Sequence, residues 1–246
     1  MRSNRFRRGL RACSSDRFKV GSVQGQRCSK SRDSDSRRYS RLMGVHVRPA
    51  VRSDIPALSA VLAEAFEDDP LMAWMLPDED SRAERLTKLF AAEARYHHFA
   101  GGGVEVATDD NGVIGGATLW DPPGRWKQSW ISGLVSLPAM VRVFGRGLRH
   151  AAEVSSVLEG AHPNSPHWYL ATVGTGSAAR GGGYGKALLN SRLERCDREH
   201  VDAYLESSKE SNIPYYNRFG FEVTRDIVMP GGGPTIYAMM RQPRGA

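Results

Sequence analysis

The stretch from Leu170 to Ala187 constrains this chain more than any other. Leu170-Ala171-Thr172-Val173-Gly174-Thr175 has the apolar, β-branched make-up of a buried strand. From about Tyr184 to Glu199, Ala187, Leu188, Leu193 and Cys196 recur on one side of a helix. Between the two lies Arg180-Gly181-Gly182-Gly183-Tyr184-Gly185-Lys186. Successive glycines let backbone N–H groups converge on one point, at the positively polarised start of a helix. Arg180 and Lys186 add charge beside that point. Strand, anion-binding turn and helix in this order demand a βα unit and imply capture of a phosphate or pyrophosphate.

Three kinds of phosphate loop can be tried on this stretch. A P-loop needs Gly five residues before the Gly-Lys pair and Ser or Thr after it. Arg180 and Ala187 occupy those slots, so it fails twice. Gly174, Gly176 and Ala179 satisfy G-x-G-x-x-A after a strand, but Gly181–Gly183 interrupts the helix that motif should open. The third pattern, Arg/Gln-x-x-Gly-x-Gly/Ala at a strand-to-helix junction, is filled by Arg180, Gly183 and Gly185.

Further on comes Leu205-Glu206-Ser207-Ser208, and about 30 residues after the loop Asn212-Ile213-Pro214-Tyr215-Tyr216-Asn217-Arg218-Phe219-Gly220-Phe221. With the loop, this order and spacing resemble the two signatures of the GNAT superfamily of N-acetyltransferases. Trp168 to Arg225 is most similar to the puromycin N-acetyltransferase branch, through its Trp-aromatic-Leu-Ala-Thr-Val-Gly and Leu-Glu-Ser-Ser strands. A weaker likeness at Val47-Arg48-Pro49-Ala50 and Ser53-Asp54-Ile55 extends it to residues 45–243. The chain departs after Gly174, where Thr175-Gly176-Ser177-Ala178-Ala179 replaces the usual Val-x-Pro.

Hydropathy gives the rest of the architecture. Val45 to Pro49 alternates as a first strand, and Ser53-Asp54 with Pro56 opens a helix striped by Ile55, Leu58, Val61, Leu62, Ala65 and Phe66. A second helix starts at Asp80 or Ser81 and stops at Gly101-Gly102-Gly103. Two strands then flank Asp109-Asp110-Asn111-Gly112, whose Asn-Gly pair suits a hairpin turn. Residues 121–165 are the least legible, with helices expected near 128–145 and 146–159. The result is an α/β chain with a mostly antiparallel first half and one βαβ crossover. The resemblance adds a GNAT fold: a central mixed sheet flanked by helices, with a splayed strand pair forming the CoA cleft.

Composition bounds the partners. The 246 residues carry a net charge of +7. Residues 1–43 hold eleven Arg and two Lys against three Asp, a net +10, so the remainder sums to −3. That extension has few aliphatics and is expected to be disordered. Its Arg/Ser-rich, acid-poor make-up suits either an organellar transit peptide or a passenger preceding a domain that begins at Met43. The basic charge stops at the domain boundary without interleaved aromatics, so no nucleic acid is expected. No apolar run approaches the roughly 20 residues of a membrane span, since Gly133 and Pro138 interrupt Trp130 to Val143. Three Cys without metal spacing give neither a disulfide framework nor a metal site, and suit a cytoplasmic, reducing setting. His97-His98 reads as a surface pair.

The resemblance assigns roles. Thr172, Val173 and Gly174 would offer a strand edge to the pantetheine arm of acetyl-CoA. Arg180, Gly181, Gly182, Gly183, Tyr184, Gly185 and Lys186 would hold its pyrophosphate, and a side chain at Gly183 or Gly185 would block that approach. Tyr216 would protonate the departing thiolate, with a packed core aromatic as the alternative; Tyr215 is assigned to packing. Glu206 would take a proton through water, pair with a cationic substrate, or serve as a structural strand-end carboxylate. Asn212 would cap its helix, touch the cofactor, or both. Glu64, Glu67, Asp68 and Asp69 suit an amine-bearing substrate or a solvated helix end. The implied activity is acetyl or small acyl transfer to a primary amine of a small molecule or peptide, by a monomer or homodimer. The alternative is an acyl-CoA-binding sensor without turnover.

Overall fold

The computed structural model describes residues 44–127 and 130–245; the extension 1–43 lies outside the described residues. Seven strands form one sheet: β1 His46–Pro49, β2 Val104–Thr108, β3 Ile114–Asp121, β4 His167–Thr175, β5 Asp202–Ser207, β6 Glu222–Val228 and β7 Thr235–Arg241. Their order is β1-β2-β3-β4-β5-β7-β6. Among the described residues only β4 and β5 are parallel. A parallel neighbour cannot be reached by a hairpin, so a helix must carry the crossover. That helix is the one expected after the glycine loop, Tyr184–Glu199.

The longer α-helices are α1 Ile55–Ala65, α2 Pro70–Met75, α3 Glu79–Glu93, α4 Trp130–Phe144 and α5 Leu148–Ala161; the crossover is α6 and Ile213–Asn217 is α7. The sequence reading missed α2, whose six residues are too few to show a stripe. It also expected Asp54 to cap α1 with its side chain. That carboxylate instead accepts two bonds from Arg48, at 2.6 and 3.0 Å, and one from the Val51 N–H.

Apolar stripes pack on both faces of the sheet. Leu58 and Leu62 of α1 meet Leu86, Leu89 and Phe90 of α3 over Ala117 and Leu119 of β3. On the other side Leu189, Leu193 and Cys196 of α6 meet Trp168 and Leu170 of β4 and Leu205 of β5. Leu58, Leu62 and Leu86 are fully buried, each worth about 2 kcal/mol relative to exposure. Burial pushes the Cys196 thiol up to about 12, as suits a core residue.

The apolar run after Trp130 is not broken where Gly133 and Pro138 suggested. α4 runs through both, and Ile131–Ala161 is by length and composition long enough to cross a membrane. Its outer face exposes Ile131, Leu134, Val135, Leu137 and Val141.

Candidate active site

β4 and β5 run side by side only as far as the Leu170–Leu205 pair. Beyond it β4 stays bonded to β3, while β5 continues along β7 to the Ser207–Tyr237 pair. The divergence starts where the β3–β4 register slips: Leu119 faces Thr172 but Trp120 faces Leu170, leaving Ala171 as an extra residue. Such a bulge bends its strand. Among the described residues no strand therefore pairs with the β4 backbone from Ala171 to Gly174 on the β5 side. The resulting cleft, open to solvent, has Thr172 and Val173 on one wall, Glu206 and Ser207 on the other, and Asp69, Asn212 and Tyr216 completing it.

The glycine loop leaves β4 and delivers α6 at Tyr184. Gly181 and Gly183 take φ of +78° and +86°, and a Cβ on either would meet nothing within 4 Å. Among the described residues no carbonyl accepts from the N–H groups of Gly181, Gly183, Tyr184 or Gly185. Open space and unsatisfied donors at a helix start form an anion cradle. Gly182 lies tighter, with a Cβ at 3.1 Å from both the Ala179 carbonyl and the Tyr184 ring. Tyr184 packs its ring over Gly115 of β3, so only its backbone belongs to the cradle. Arg180 and Lys186 are exposed beside it.

At Gly185 the expected reason for glycine needs correcting. Its missing side chain points inward, where a Cβ would stand 3.0 Å from the Tyr215 hydroxyl and 3.7 Å from Thr175. Tyr215 packs in the core as expected, beside Tyr216 and Phe219, and also buttresses the loop.

Tyr216 is buried on α7, and its side chain reaches the cleft. Burial raises its phenol above the ordinary value, with Tyr215 and Asp69 adding to the effect. Among the described residues nothing bonds to its hydroxyl. Asn212 occupies the N-cap position of α7 but makes no side-chain cap bond, so the capping role falls away and its side chain is left facing the cleft.

Glu206 is a hub rather than a lone strand-end carboxylate. Its Oε2 accepts from the Tyr169 hydroxyl at 2.9 Å and its Oε1 from the Tyr204 hydroxyl at 3.0 Å. His162 Nδ1 lies 3.6 Å from Oε1. Burial, then Glu206 itself, drives both phenols upward, so they remain donors.

Of the acidic run, Asp69 is not solvated. It caps α2 by accepting from Leu71 and Met72 N–H at 3.0 and 3.1 Å, and it also accepts from Ser208 Oγ. Burial nonetheless raises its carboxyl. Asp68 pairs with Lys209 at 2.7 Å, and a bond from Ser177 lowers the Glu64 carboxyl.

Residues 60–221 match the sequence profile described as the Acetyltransferase (GNAT) family. The chain belongs to the GNAT acetyltransferase family. It is 29% identical over 204 residues to an uncharacterized N-acetyltransferase of Schizosaccharomyces pombe, covering 77% of this chain and 80% of that protein. A solved acetyltransferase of Corynebacterium glutamicum, described as histone acetyltransferase HPA2 and related acetyltransferase, is 32% identical with a TM-score of 0.64. That match covers 82% of this chain and 98% of the bacterial one. A Staphylococcus aureus N-acetyltransferase shares the fold at TM-score 0.56 and 18% identity, over 79% and 99% of the two chains. The mostly antiparallel seven-stranded sheet flanked by helices is thus the fold that this chain shares with its GNAT neighbours.

In this GNAT chain the His97-His98 pair is not a surface feature. α3 widens into a π turn over Ala94–His98, and both imidazoles converge on Asp121 at the end of β3. His98 Nδ1 lies 2.8 Å from Oδ1 and His97 Nε2 lies 3.2 Å from Oδ2. The three ligand-type atoms fall within 4.8 Å of one another, a grouping that sequence spacing did not show. Sequence reasoning missed Tyr169 and His162, and it left Asp69 between a substrate-facing carboxylate and a solvated helix end; the structure places it in the cleft. Only Tyr204 carried a signal, since Tyr204 and Glu206 stand two apart on β5 and share a face.

Proposed function

We propose that this chain transfers an acetyl group from acetyl-CoA to a primary amine. The observation that carries the reading is the placement of an unsatisfied, glycine-built anion cradle and a buried phenol around one bulged, splayed strand pair. Acetyl-CoA supplies the activated thioester. The cradle from Arg180 to Lys186 would hold its pyrophosphate, and the unpaired edge Thr172–Gly174 would bond its pantetheine arm as an added strand. The open space at Gly181 and Gly183 fits a group that must touch backbone. A backbone N–H near Val173 would polarise the thioester carbonyl.

The protein's groups divide the proton work. An alkyl ammonium has a pKa near 10.4 and must lose a proton before its nitrogen is nucleophilic. Glu206, on the far wall, would take that proton directly or through water. Tyr216, held as a neutral phenol, would give its proton to the leaving sulfur. Asp69 and Glu206 together favour a cationic acceptor. Small amines and lysine-bearing peptides both answer that description, and the likeness to the C. glutamicum acetyltransferase keeps a protein substrate in the test set.

Thiol release from acetyl-CoA, measured over a panel of polyamines, arylalkylamines and lysine peptides, tests the reading. Turnover that needs both amine and enzyme supports it. Tight acetyl-CoA binding without release on any amine would make the chain a binding module instead.

A further inference from the structure

Behind Glu206 lies a buried row of imidazoles whose proton positions can be deduced. His167 Nδ1 lies 2.7 Å from the Ser165 carbonyl, which can only accept, so that nitrogen carries a hydrogen. Burial, then the neighbouring His162, lowers the His167 pKa, which keeps its ring neutral and its Nε2 a bare lone pair. His162 Nε2 lies 2.9 Å from that lone pair and must therefore be the donor. One nitrogen of His162 is left to gain or lose a proton: Nδ1, at 3.6 Å from Glu206 Oε1. The row ends at a backbone carbonyl, so it stores a proton rather than conducting one away.

We propose that His162 is a positioning residue that makes Glu206 an effective base, receiving on Nδ1 the proton that Glu206 draws from the acceptor amine. This rests on the acetyl-transfer reading above. One amine N–H bond breaks as the Glu206 O–H bond forms; that bond then breaks as the His162 Nδ1–H bond forms. Glu206 returns to carboxylate and His162 becomes an imidazolium, with Tyr169 and Tyr204 still donating to the carboxylate. After product leaves, the proton returns through Glu206 to solvent. The proton thereby rests on an imidazole held beside Glu206 rather than on the carboxylate that faces the amine.

The groups packed around His162 leave its Nδ1 facing Glu206. Glu206 and Tyr204 face it from β5 and His167 and Tyr169 from β4, while Trp126 stacks on its ring at 3.7 Å. One step further out, Asp202 acts on His167, Asp121 on Tyr169 and Arg225 on Tyr204. Glu206 is the carboxylate nearest the free nitrogen.

The pH dependence of kcat/KM for the amine, measured on the full chain, tests this. His162→Gln keeps an amide donor towards His167 but cannot titrate. Its acid limb should move down by more than one pH unit, kcat should fall at least tenfold, and KM for acetyl-CoA should hold. His167→Gln still offers an acceptor to His162 and should keep the acid limb of the wild type. A limb unmoved in His162→Gln, or moved in His167→Gln, overturns the proposal. If His162→Gln fails to fold, ¹⁵N imidazole NMR of the wild type decides. A neutral His162 protonated on Nε2 supports the proposal, and one protonated on Nδ1 overturns it. The NMR result does not depend on turnover, so absence of acetyl transfer would be recognised separately.

Discussion

Gly185 and Tyr215 are fitted to each other: the point where a Cβ would stand on Gly185 is 3.0 Å from the Tyr215 hydroxyl. A loop glycine and a core tyrosine therefore share one constraint, and the start of α6 is held against α7 by it. Gly185→Ala should push the helix start away from α7 and weaken acetyl-CoA binding, with Tyr215→Phe recovering much of the loss by removing the hydroxyl. Titration calorimetry on the two single variants and the double variant measures the coupling. Additive effects would show that the contact does not set the loop.

Gly183 tests a different requirement. Its φ of +86° disfavours any side chain, although space for a Cβ is open. Gly183→Ala should lower stability by about 1–2 kcal/mol and displace the N–H groups of the cradle. An unchanged melting temperature together with unchanged acetyl-CoA affinity would remove the special role of this glycine.

Asp121 predicts a pH window. Burial opposes its ionisation, but the bonds from His97 and His98 win and hold the carboxyl below its ordinary value. Burial likewise opposes charge on His97, yet Asp121 and Glu93 hold that imidazole above its ordinary value. The carboxylate's contribution is present above its unfolded pKa near 3.9, and is lost as pH falls through the lower folded value. The imidazole's is full below about 6.5, and is lost as pH rises through the higher folded value. Asp121→Asn should thus destabilise by about 3–5 kcal/mol between roughly pH 4 and 6.5, with a smaller deficit above. Urea melts across that range check it; a constant deficit would mean that the cluster carries no net charge interaction.

The strand, loop and crossover helix from Trp168 to Glu199 were legible because each is local: periodicity and glycine run state the element, and a neighbour in sequence is its neighbour in space. Tyr216 and Glu206 were singled out by the spacing of a motif, and both line the cleft. The bond from Ser208 to Asp69, the approach of His162 to Glu206 and the His97–His98–Asp121 cluster were not legible. These residues meet only when α2, the end of α5 and the π turn pack against the sheet, and no periodicity records a contact between residues 69 and 208 or 162 and 206. The Ala171 bulge is equally silent, since nothing in the alternation of β4 marks the slipped register with β3.

Residues 1–43 carry no core-forming pattern, and their basic charge contrasts with the acidic remainder. Deleting them should leave the melting temperature and acetyl-CoA affinity unchanged. A clear drop in melting temperature for the truncated chain would show that the segment packs on the domain.

Tyr216 bears the sharpest test. Tyr216→Phe removes one hydroxyl from a buried ring that packs in a cluster with Leu205, Phe219 and Phe221. Among the described residues no partner bonds to that hydroxyl, so its loss strands no buried group and stability should hold. If the phenol protonates the leaving thiolate, kcat should fall by about 10²–10⁴, or roughly 3–5 kcal/mol of transition-state stabilisation. Affinity for acetyl-CoA should change little, because the interaction is made only as the sulfur gains charge. Burial lifts this phenol, so it keeps its proton across the neutral range and the alkaline limb of the wild-type rate should not report it below about pH 10. A tyrosine that merely packs would keep its rate as phenylalanine. Measuring kcat and Tm on the same variant separates the two: unchanged kcat with unchanged Tm would take Tyr216 out of the chemistry and leave the thiolate to be protonated by solvent.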